Sequence, residues 1–234
     1  MSETTVRRAM VIMAHPDDGD FIAAGTMAKW AKEGWEVVLV VVTDGSRGSE
    51  DPNLTPEKLR EIREAEQRAA AKTLGVSDVV FLGYEDGALE DSTSVRRDLV
   101  RLIRQHRPLR VIAQDPTHRW SGQSYINHPD HMAAGNAALV AVYPLARNRP
   151  SFRELLAEGL EPFSVPELYL AGTSVPDCWI DVGDTLELKV AALREHRSQI
   201  GDWDVEAQMK EWAHGTADGH DMEYAESFKY FKLG

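Results

Sequence analysis

Two histidines and an aspartate in this sequence have the types and the spacing of metal ligands. His15 and Asp18 are three residues apart, so both side chains face one point if they lie in a tight turn or at the start of a helix. His131 ends a second polar segment, residues 128–131. Two neutral imidazoles and one carboxylate leave the fourth position of a zinc ion open, which is typical of a hydrolytic site and not of a structural one.

Candidate acid–base groups lie beside these ligands. A zinc ion in such a site lowers the pKa of bound water to about 7, so that hydroxide is available at neutral pH. Asp17 adjoins the ligands in sequence and could take the proton of that water. His128, held in one tautomer by Asp130, would either donate to the leaving group or polarise the oxyanion. The residues therefore predict hydrolysis by metal-bound hydroxide.

Each motif also has an ordinary structural interpretation. Asp17 and Asp18 are residue types that cap helix N-termini, and His15 would then be a loop histidine bonded to backbone. Both motifs, however, are predicted to lie at a junction of strand and helix. This coincidence favours the metal site.

The elements that must position these residues follow from the hydrophobic pattern. Apolar runs predict buried strands, and amphipathic segments between them predict helices. This alternation predicts a single α/β domain over residues 1–234, in a Rossmann-like three-layer fold with a mostly parallel sheet, in which residues 201–234 are a C-terminal extension. The predicted strands are 7–13, 36–43, 79–84, 110–114, 167–171 and 178–182, and the predicted helices are 21–33, 55–75, 94–106, 129–142 and 184 to about 199.

In parallel sheets of this kind, ligands bind beyond the carboxyl ends of the strands. The segments 14–18 and 128–131 both come after predicted strands, so we expect them to converge at one edge. A dinucleotide site is excluded, because the first strand does not lead into the Gly-x-Gly-x-x-Gly turn that a pyrophosphate requires.

Composition limits the partners and the kinds of metal site. The chain has 234 residues with 26 Lys+Arg and 38 Asp+Glu, and its net charge of −12 argues against nucleic acid or an anionic membrane as partner. The single cysteine, Cys178, excludes an internal disulfide and a sulfur-rich metal site. Residues 1–10 lack the apolar core of a signal peptide. We expect a cytoplasmic protein.

The two motifs, Ala14-His15-Pro16-Asp17-Asp18 and His128-Pro129-Asp130-His131, resemble those of the LmbE-like (PIG-L) deacetylases. These zinc-dependent enzymes remove acetyl groups from N-acetylglucosamine-type sugars. Weaker matches are Thr43-Asp44-Gly45, Arg63-Glu64-Ala65-Glu66 and Lys189 with His196, Ser198 and Gln199, so the resemblance spans about residues 8–200.

The resemblance implies a role for each matched residue. His15, Asp18 and His131 would bind zinc, although the same donors also bind iron(II). The other implied roles are Asp17 as general base, His128 with Asp130 as stabiliser of the tetrahedral intermediate, and Arg63 with Asp86 as ligands of sugar hydroxyls. The implied substrate is a small amino sugar, and a symmetric homo-oligomer is expected.

This chain departs from the family pattern at two places. The family has a glutamate one or two positions after the paired aspartates, whereas this chain has Gly19-Asp20, so Asp20 should take over its role. Glycines that often follow are replaced by Ile22-Ala23-Ala24.

Three functions agree with these observations. The first is a metal-dependent amidohydrolase that removes the N-acetyl group from an N-acetylglucosamine-type sugar or glycoconjugate. The alternative is an amidase for a larger thiol- or glyco-conjugate, and the third is a non-catalytic binding protein of the same fold. The aromatic loop 115–127 either meets the substrate or is an ordinary surface loop.

Overall fold

The computed structural model describes residues 6–233, which contain nine strands and nine helices. A turn of π-helix, Ala141–Leu145, follows the fifth helix, and a 3₁₀ turn, Gly183–Thr185, precedes the seventh. The strands are β1 Arg8–Met13, β2 Glu36–Thr43, β3 Asp78–Tyr84, β4 Arg110–Gln114, β5 Trp120–Ser121, β6 Tyr125–Ile126, β7 Glu167–Ala171, β8 Cys178–Asp181 and β9 Ala225–Lys232. The helices are α1 Asp18–Ile22, α2 Ala24–Lys32, α3 Pro56–Leu74, α4 Thr93–His106, α5 Pro129–Val140, α6 Arg153–Ala157, α7 Leu186–Leu193, α8 Arg197–Ile200 and α9 Val205–Ala217.

Seven of the strands form one sheet, in the order β3-β2-β1-β4-β7-β9-β8. The first five strands in this order, β3 through β2, β1 and β4 to β7, are parallel to one another, whereas β9 is antiparallel to both β7 and β8. The apolar run of β2 is buried after its first residue, as expected for a central strand that is covered on both faces. The predicted α/β fold with a mostly parallel sheet is confirmed.

Helices cover both faces of the sheet and form two apolar clusters. In β1, Met10 and Ile12 belong to one cluster, which also contains Leu99 of α4. The alternate residues Val11 and Met13 belong to the opposite cluster, on the side of α2 and α3. Side chains that alternate between two packed faces produce the three-layer arrangement. Within the described part of the chain, none of the helices is both long and apolar enough to cross a lipid bilayer.

The first predicted helix, residues 21–33, is in fact two helices. Ala23 leaves the helical backbone at φ −144°, and α2 begins immediately after it. The backbone N–H groups of Gly25 and Thr26 then donate to the carboxylate of Glu226 on β9, at 3.0 and 2.8 Å. A carboxylate at this position satisfies amides that have no partner within the helix. Local sequence could not show an acceptor that is 200 residues away.

The C-terminal part of the chain also differs from its prediction. The helix predicted from Asp184 to about residue 199 is divided into α7 and α8, and His196 between them points into the protein with its side chain fully buried. The extension, residues 201–234, contains α9 and β9, which the hydrophobic pattern does not predict. The loop 115–127 contains a small antiparallel hairpin, β5 with β6.

The ion pair between Glu226 and Lys189 connects the extension to α7, and its two charges are buried. Lys189 Nζ donates to Glu226 Oε1 at 2.7 Å, and the side chains are 6% and 4% exposed. Loss of one partner from a buried pair typically costs about 3–5 kcal/mol, because the other charge stays buried without compensation. We expect Glu226→Ala to lower the free energy of unfolding by about this amount in urea denaturation.

The matched control is Glu223→Ala, because Glu223 is exposed on the same segment. This change should alter the free energy of unfolding by less than about 0.5 kcal/mol. Equal losses in the two variants would contradict the stabilising role of the buried pair.

Candidate active site and metal centre

The two histidine motifs meet at the carboxyl edge of the sheet. Residues 14–18 connect β1 to α1, and residues 127–131 lead into α5. The chain passes from β1 to β2 and β3 on one side of the sheet and returns to β4 on the other side of β1. The site therefore lies at the topological switch point, where α/β sheets bind ligands.

Asp18 lies between the rings of the two predicted histidine ligands. Its Oδ2 is 3.3 Å from His15 Nδ1, and its Oδ1 is 3.1 Å from His131 Nε2. The carboxylate is held by the backbone N–H of His15 at 2.8 Å and by the side-chain amide of Gln114 at 3.1 Å. The structure thus brings the three predicted ligands together.

The second ring nitrogen of each of these histidines contacts an acceptor outside the group. His15 Nε2 is 3.1 Å from Asp86 Oδ1 and 3.2 Å from Asp130 Oδ2. His131 Nδ1 is 2.9 Å from Asn127 Oδ1. Metal-binding histidines typically have such an outer acceptor, because it fixes the tautomer and the orientation of the ring. Nδ1 of His15 and Nε2 of His131 are therefore the nitrogens that face the Asp18 carboxylate.

The surrounding donors suit a divalent cation. One ring nitrogen from each of His15, His128 and His131 lies within 4.8 Å of the others, and the same holds for donor atoms of His15, Asp86 and Asp130. Burial lowers the pKa of His15, but hydrogen bonds to the neighbouring carboxylates, above all to Asp130, raise it to about 12. Carboxylates that stabilise an imidazolium equally stabilise a metal cation. Imidazole and carboxylate are also ligands that zinc and iron(II) accept, so these residues fit such an ion.

Asp17 has a backbone conformation that residues other than glycine rarely adopt, with φ 86°. Such strain costs about 1–3 kcal/mol and is found mostly at functional sites. The side-chain oxygen of Gln67 accepts from the Asp17 N–H at 2.8 Å, and Arg63 donates to the carboxylate at 3.1 Å. Burial raises the pKa of Asp17 to about 6, against the opposing charge of Arg63. A carboxylate with this pKa is suited to accept a proton near neutral pH.

A buried polar chain behind Asp17 was not predicted from the sequence. Gln67 Nε2 donates to Asp20 Oδ2 at 2.7 Å, and the same oxygen is 3.0 Å from His196 Nε2. Asp20 thus takes a supporting position behind the candidate base. One signal for Gln67 was present, because it follows Arg63 by one helical turn on α3 and so lies on the same face.

His128 lies beside His15 and His131, and one of its ring nitrogens already accepts a hydrogen bond. Its Nδ1 accepts a hydrogen bond from the backbone N–H of Asp130 at 3.2 Å, so the neutral ring carries its proton on Nε2. Burial, and then the charge of His15, lower the pKa of His128 and favour this neutral form. The expectation that the Asp130 carboxylate sets the tautomer of His128 is wrong, because it is the backbone N–H of Asp130 that contacts this ring. That carboxylate contacts His15 and accepts from the N–H groups of Gly87 and Leu89.

The two residues predicted to bind sugar hydroxyls lie on one side of the site, which we call the polar side. Arg63 donates to the carbonyl oxygen of Gly45 at 2.9 Å in addition to its contact with Asp17. Asp86 accepts from the backbone N–H of Arg47 at 2.9 Å. Both side chains are largely buried, and their contacts with a sugar stay a prediction.

Comparison with known proteins identifies close similarities. A sequence model of the PIG-L family, described as GlcNAc-PI de-N-acetylase, matches residues 10–142, which include both histidine motifs. The diacetylchitobiose deacetylase of Thermococcus kodakarensis is 32% identical over 231 residues, which cover 96% of this chain and 83% of that protein.

Solved structures show the same architecture. The N,N'-diacetylchitobiose deacetylase of Pyrococcus horikoshii, in complex with the inhibitor MPG, superposes with a TM-score of 0.89 at 32% identity over 97% of this chain and 85% of that one. A 4-carboxy-2-hydroxymuconate hydratase from Pseudomonas putida has a TM-score of 0.79 at 20% identity over 98% of each chain. The second similarity concerns the fold alone, because one fold supports different reactions.

Proposed function

The chain belongs to the PIG-L (LmbE-like) family, and from this membership we propose that it hydrolyses the acetamide of an N-acetylglucosamine-type sugar or glycoconjugate. Membership confirms the resemblance that the two histidine motifs indicated. Deacetylases of this family are metal-dependent. The observation that carries the proposal is the contact of Asp18 with both His15 and His131, beside the strained Asp17.

His15, Asp18 and His131 are the proposed metal ligands, and zinc is the proposed metal, with iron(II) as the alternative. Their support is the arrangement of the two rings, each with one nitrogen toward Asp18 and the other toward an outer acceptor. When bound, the ion supplies a Lewis acid that polarises the acyl carbonyl and makes water more acidic.

Asp17 is the proposed general base. Hydrolysis adds the oxygen of water to the acyl carbon, breaks the bond between this carbon and nitrogen, and places a proton on the departing amine. The Asp17 carboxylate accepts the proton of the attacking water. Arg63 donates to this carboxylate, and Gln67 accepts from the backbone N–H of Asp17 and so holds the loop.

His128 is the proposed donor to the oxyanion, because its neutral ring carries the free N–H on Nε2. We expect His128→Ala to lower kcat by about 10²- to 10³-fold, as for loss of one oxyanion donor. KM should change little, since the donor acts mainly in the transition state. Steady-state kinetics on protein with verified metal content checks this, and full turnover in the variant would exclude the role.

The fall of kcat/KM on the acid side of the pH profile, its acid limb, should report the protonation of Asp17. Because its pKa is about 6 and the base acts when deprotonated, kcat/KM should fall as the pH drops through about 6. Arg63 lowers this pKa, so Arg63→Gln should move the acid limb to higher pH, whereas Arg63→Lys keeps the charge and should move it less. Metal content is measured at each pH, and identical limbs in all three proteins would contradict the assignment.

The proposed function is tested by acetate release from the metal-loaded protein. We expect release from N-acetylglucosamine or diacetylchitobiose, and none after the metal is removed by a chelator. Cleavage of a thiol conjugate without any release from acetylated sugars would establish the alternative amidase. A protein that binds no metal and cleaves no amide would be a binding protein of this fold.

A further inference from the structure

A cavity opens directly beside the candidate metal ligands. Its volume is about 390 Å³, and its lining includes Asp18 and His131. Phe21, Trp203 and Trp212 also line it and form an aromatic wall. Cavities of this size bind whole small molecules. The methyl of an acetyl group needs only about the volume of one water molecule, ~30 Å³, so an acetyl group leaves most of the cavity unused.

Two side-chain amides that line the cavity, those of Gln114 and Asn127, are already engaged within the protein. The Gln114 amide donates to Asp18 at 3.1 Å. The side chain of Asn127 accepts from Tyr125 Oη at 3.0 Å and donates to the carbonyl oxygen of His118 at 2.7 Å. The described residues of the lining include neither lysine nor arginine. An anion would therefore find no lysine or arginine partner among these residues, whereas an alkyl chain needs no polar partner.

The aromatic wall leaves apolar surface exposed at the site. The Trp203 and Trp212 rings are 6.1 Å apart between centroids, and Trp203 lies 5.9 Å from Phe21. Trp203 is 40% exposed and Trp212 is 51% exposed. Clustered aromatic surface in a cleft indicates an apolar ligand, since its burial is favourable.

The cavity and the polar side lie at different nitrogens of the His15 ring. Asp86 contacts Nε2 of this ring, whereas Asp18, which lines the cavity, contacts Nδ1. A substrate amide at the metal ligands has two substituents, the sugar on its nitrogen and the acyl chain on its carbonyl carbon. If the sugar hydroxyls lie on the polar side, the acyl chain is directed into the cavity.

Building on the proposed function, we propose that this cavity is an acyl-chain site and that the preferred substrate is an amino sugar with an N-acyl group longer than acetyl. The reaction is unchanged: water adds to the acyl carbon, the C–N bond breaks, a carboxylate leaves and the sugar amine takes the proton. Trp203 and Trp212 determine specificity by covering the chain.

The first test compares N-acetyl-, N-butyryl- and N-hexanoylglucosamine as substrates of the metal-loaded protein. Burial of a methylene is worth about 0.8 kcal/mol, which is about fourfold in kcat/KM for each methylene that enters the cavity. We expect hexanoyl to exceed acetyl by at least about tenfold. Trp212→Ala should lower this ratio, and Ile22→Trp, which fills the cavity, should reverse it. The matched control is Trp179→Ala, because Trp179 lies on β8 outside the cavity and should leave the ratio unchanged.

The second test measures binding without turnover. Asp17→Asn protein is titrated with N-acetylglucosamine, N-hexanoylglucosamine and diacetylchitobiose by calorimetry. We expect the hexanoyl compound to bind most tightly, and the added Ile22→Trp change to remove its advantage. This readout separates the acyl-chain site from catalysis.

Three results would overturn the proposal, and they differ in whether they also contradict the proposed function. Equal or faster hydrolysis of the acetyl compound would contradict the acyl-chain site but would agree with the proposed deacetylase. A gain with diacetylchitobiose that depends on Trp212 assigns the cavity to a second sugar ring. If the protein neither cleaves nor binds any N-acylglucosamine, both the acyl-chain site and the proposed function are contradicted.

Discussion

Replacement of His131 by alanine is expected to abolish stoichiometric metal binding and, with it, hydrolysis. The imidazole has one nitrogen 3.1 Å from Asp18 and the other 2.9 Å from Asn127, so its loss removes a proposed ligand together with its support. A catalytic metal contributes several kcal/mol of charge stabilisation, and we therefore expect kcat/KM to fall by at least about 10³-fold. Metal analysis of the purified variant and acetate release measure the two effects.

Two further variants sharpen this prediction. Asn127→Ala removes the outer acceptor of His131, together with the contacts of this side chain to Tyr125 and His118, and leaves the His131 ring in place. Metal affinity should then fall by about 10- to 100-fold while binding persists. His214→Ala changes an exposed histidine of α9 and should leave metal content unaltered. One equivalent of metal in active His131→Ala protein would show that the ion is held by another set, such as His15, Asp86 and Asp130.

The Asp17→Asn variant should keep the metal and lose most of the activity. Asparagine has nearly the same shape and tolerates the left-handed backbone that Asp17 adopts, so the loop should keep its conformation. It cannot accept the proton, and general-base catalysis typically contributes about 10²- to 10⁴-fold. We expect kcat to fall by this factor, with metal content and thermal stability close to those of the parent protein.

Alanine at the same position is the less informative change, because it combines loss of the base with backbone strain. The matched control is Asp51→Asn, which alters an exposed loop carboxylate and should retain full turnover. Activity of Asp17→Asn within threefold of the parent would exclude Asp17 as the base.

The edge of the sheet that carries the candidate site could be predicted from sequence because short segments encode it. The apolar run of β1 ends directly before His15, and the Val-rich run of β2 requires cover on both faces, so a parallel sheet follows from local pattern. Parallel strands place their carboxyl ends at one edge, and this brings residues 14–18 and 127–131 together although more than 100 residues separate them.

The contacts that could not be predicted depend on packing between distant segments. His196 contacts Asp20 across 176 positions, and no local period marks such a pair. The position of the Asp130 carboxylate was missed for a related reason. His128 is the N-cap of α5 and its ring accepts from the Asp130 N–H, so the carboxylate is turned away from that ring and toward His15.

The position of β9 between β7 and β8 has a consequence for how the chain assembles during synthesis. Among the described strands β9 is made last, yet β8 pairs in this sheet with β9 alone. Until β9 has left the ribosome, β8 has no partner in the sheet, and the amides of Gly25 and Thr26 lack the carboxylate that caps them. A nascent chain that already contains both histidine motifs therefore lacks the cap of α2. The order of synthesis thus makes completion of the sheet and capping of α2 a single late event.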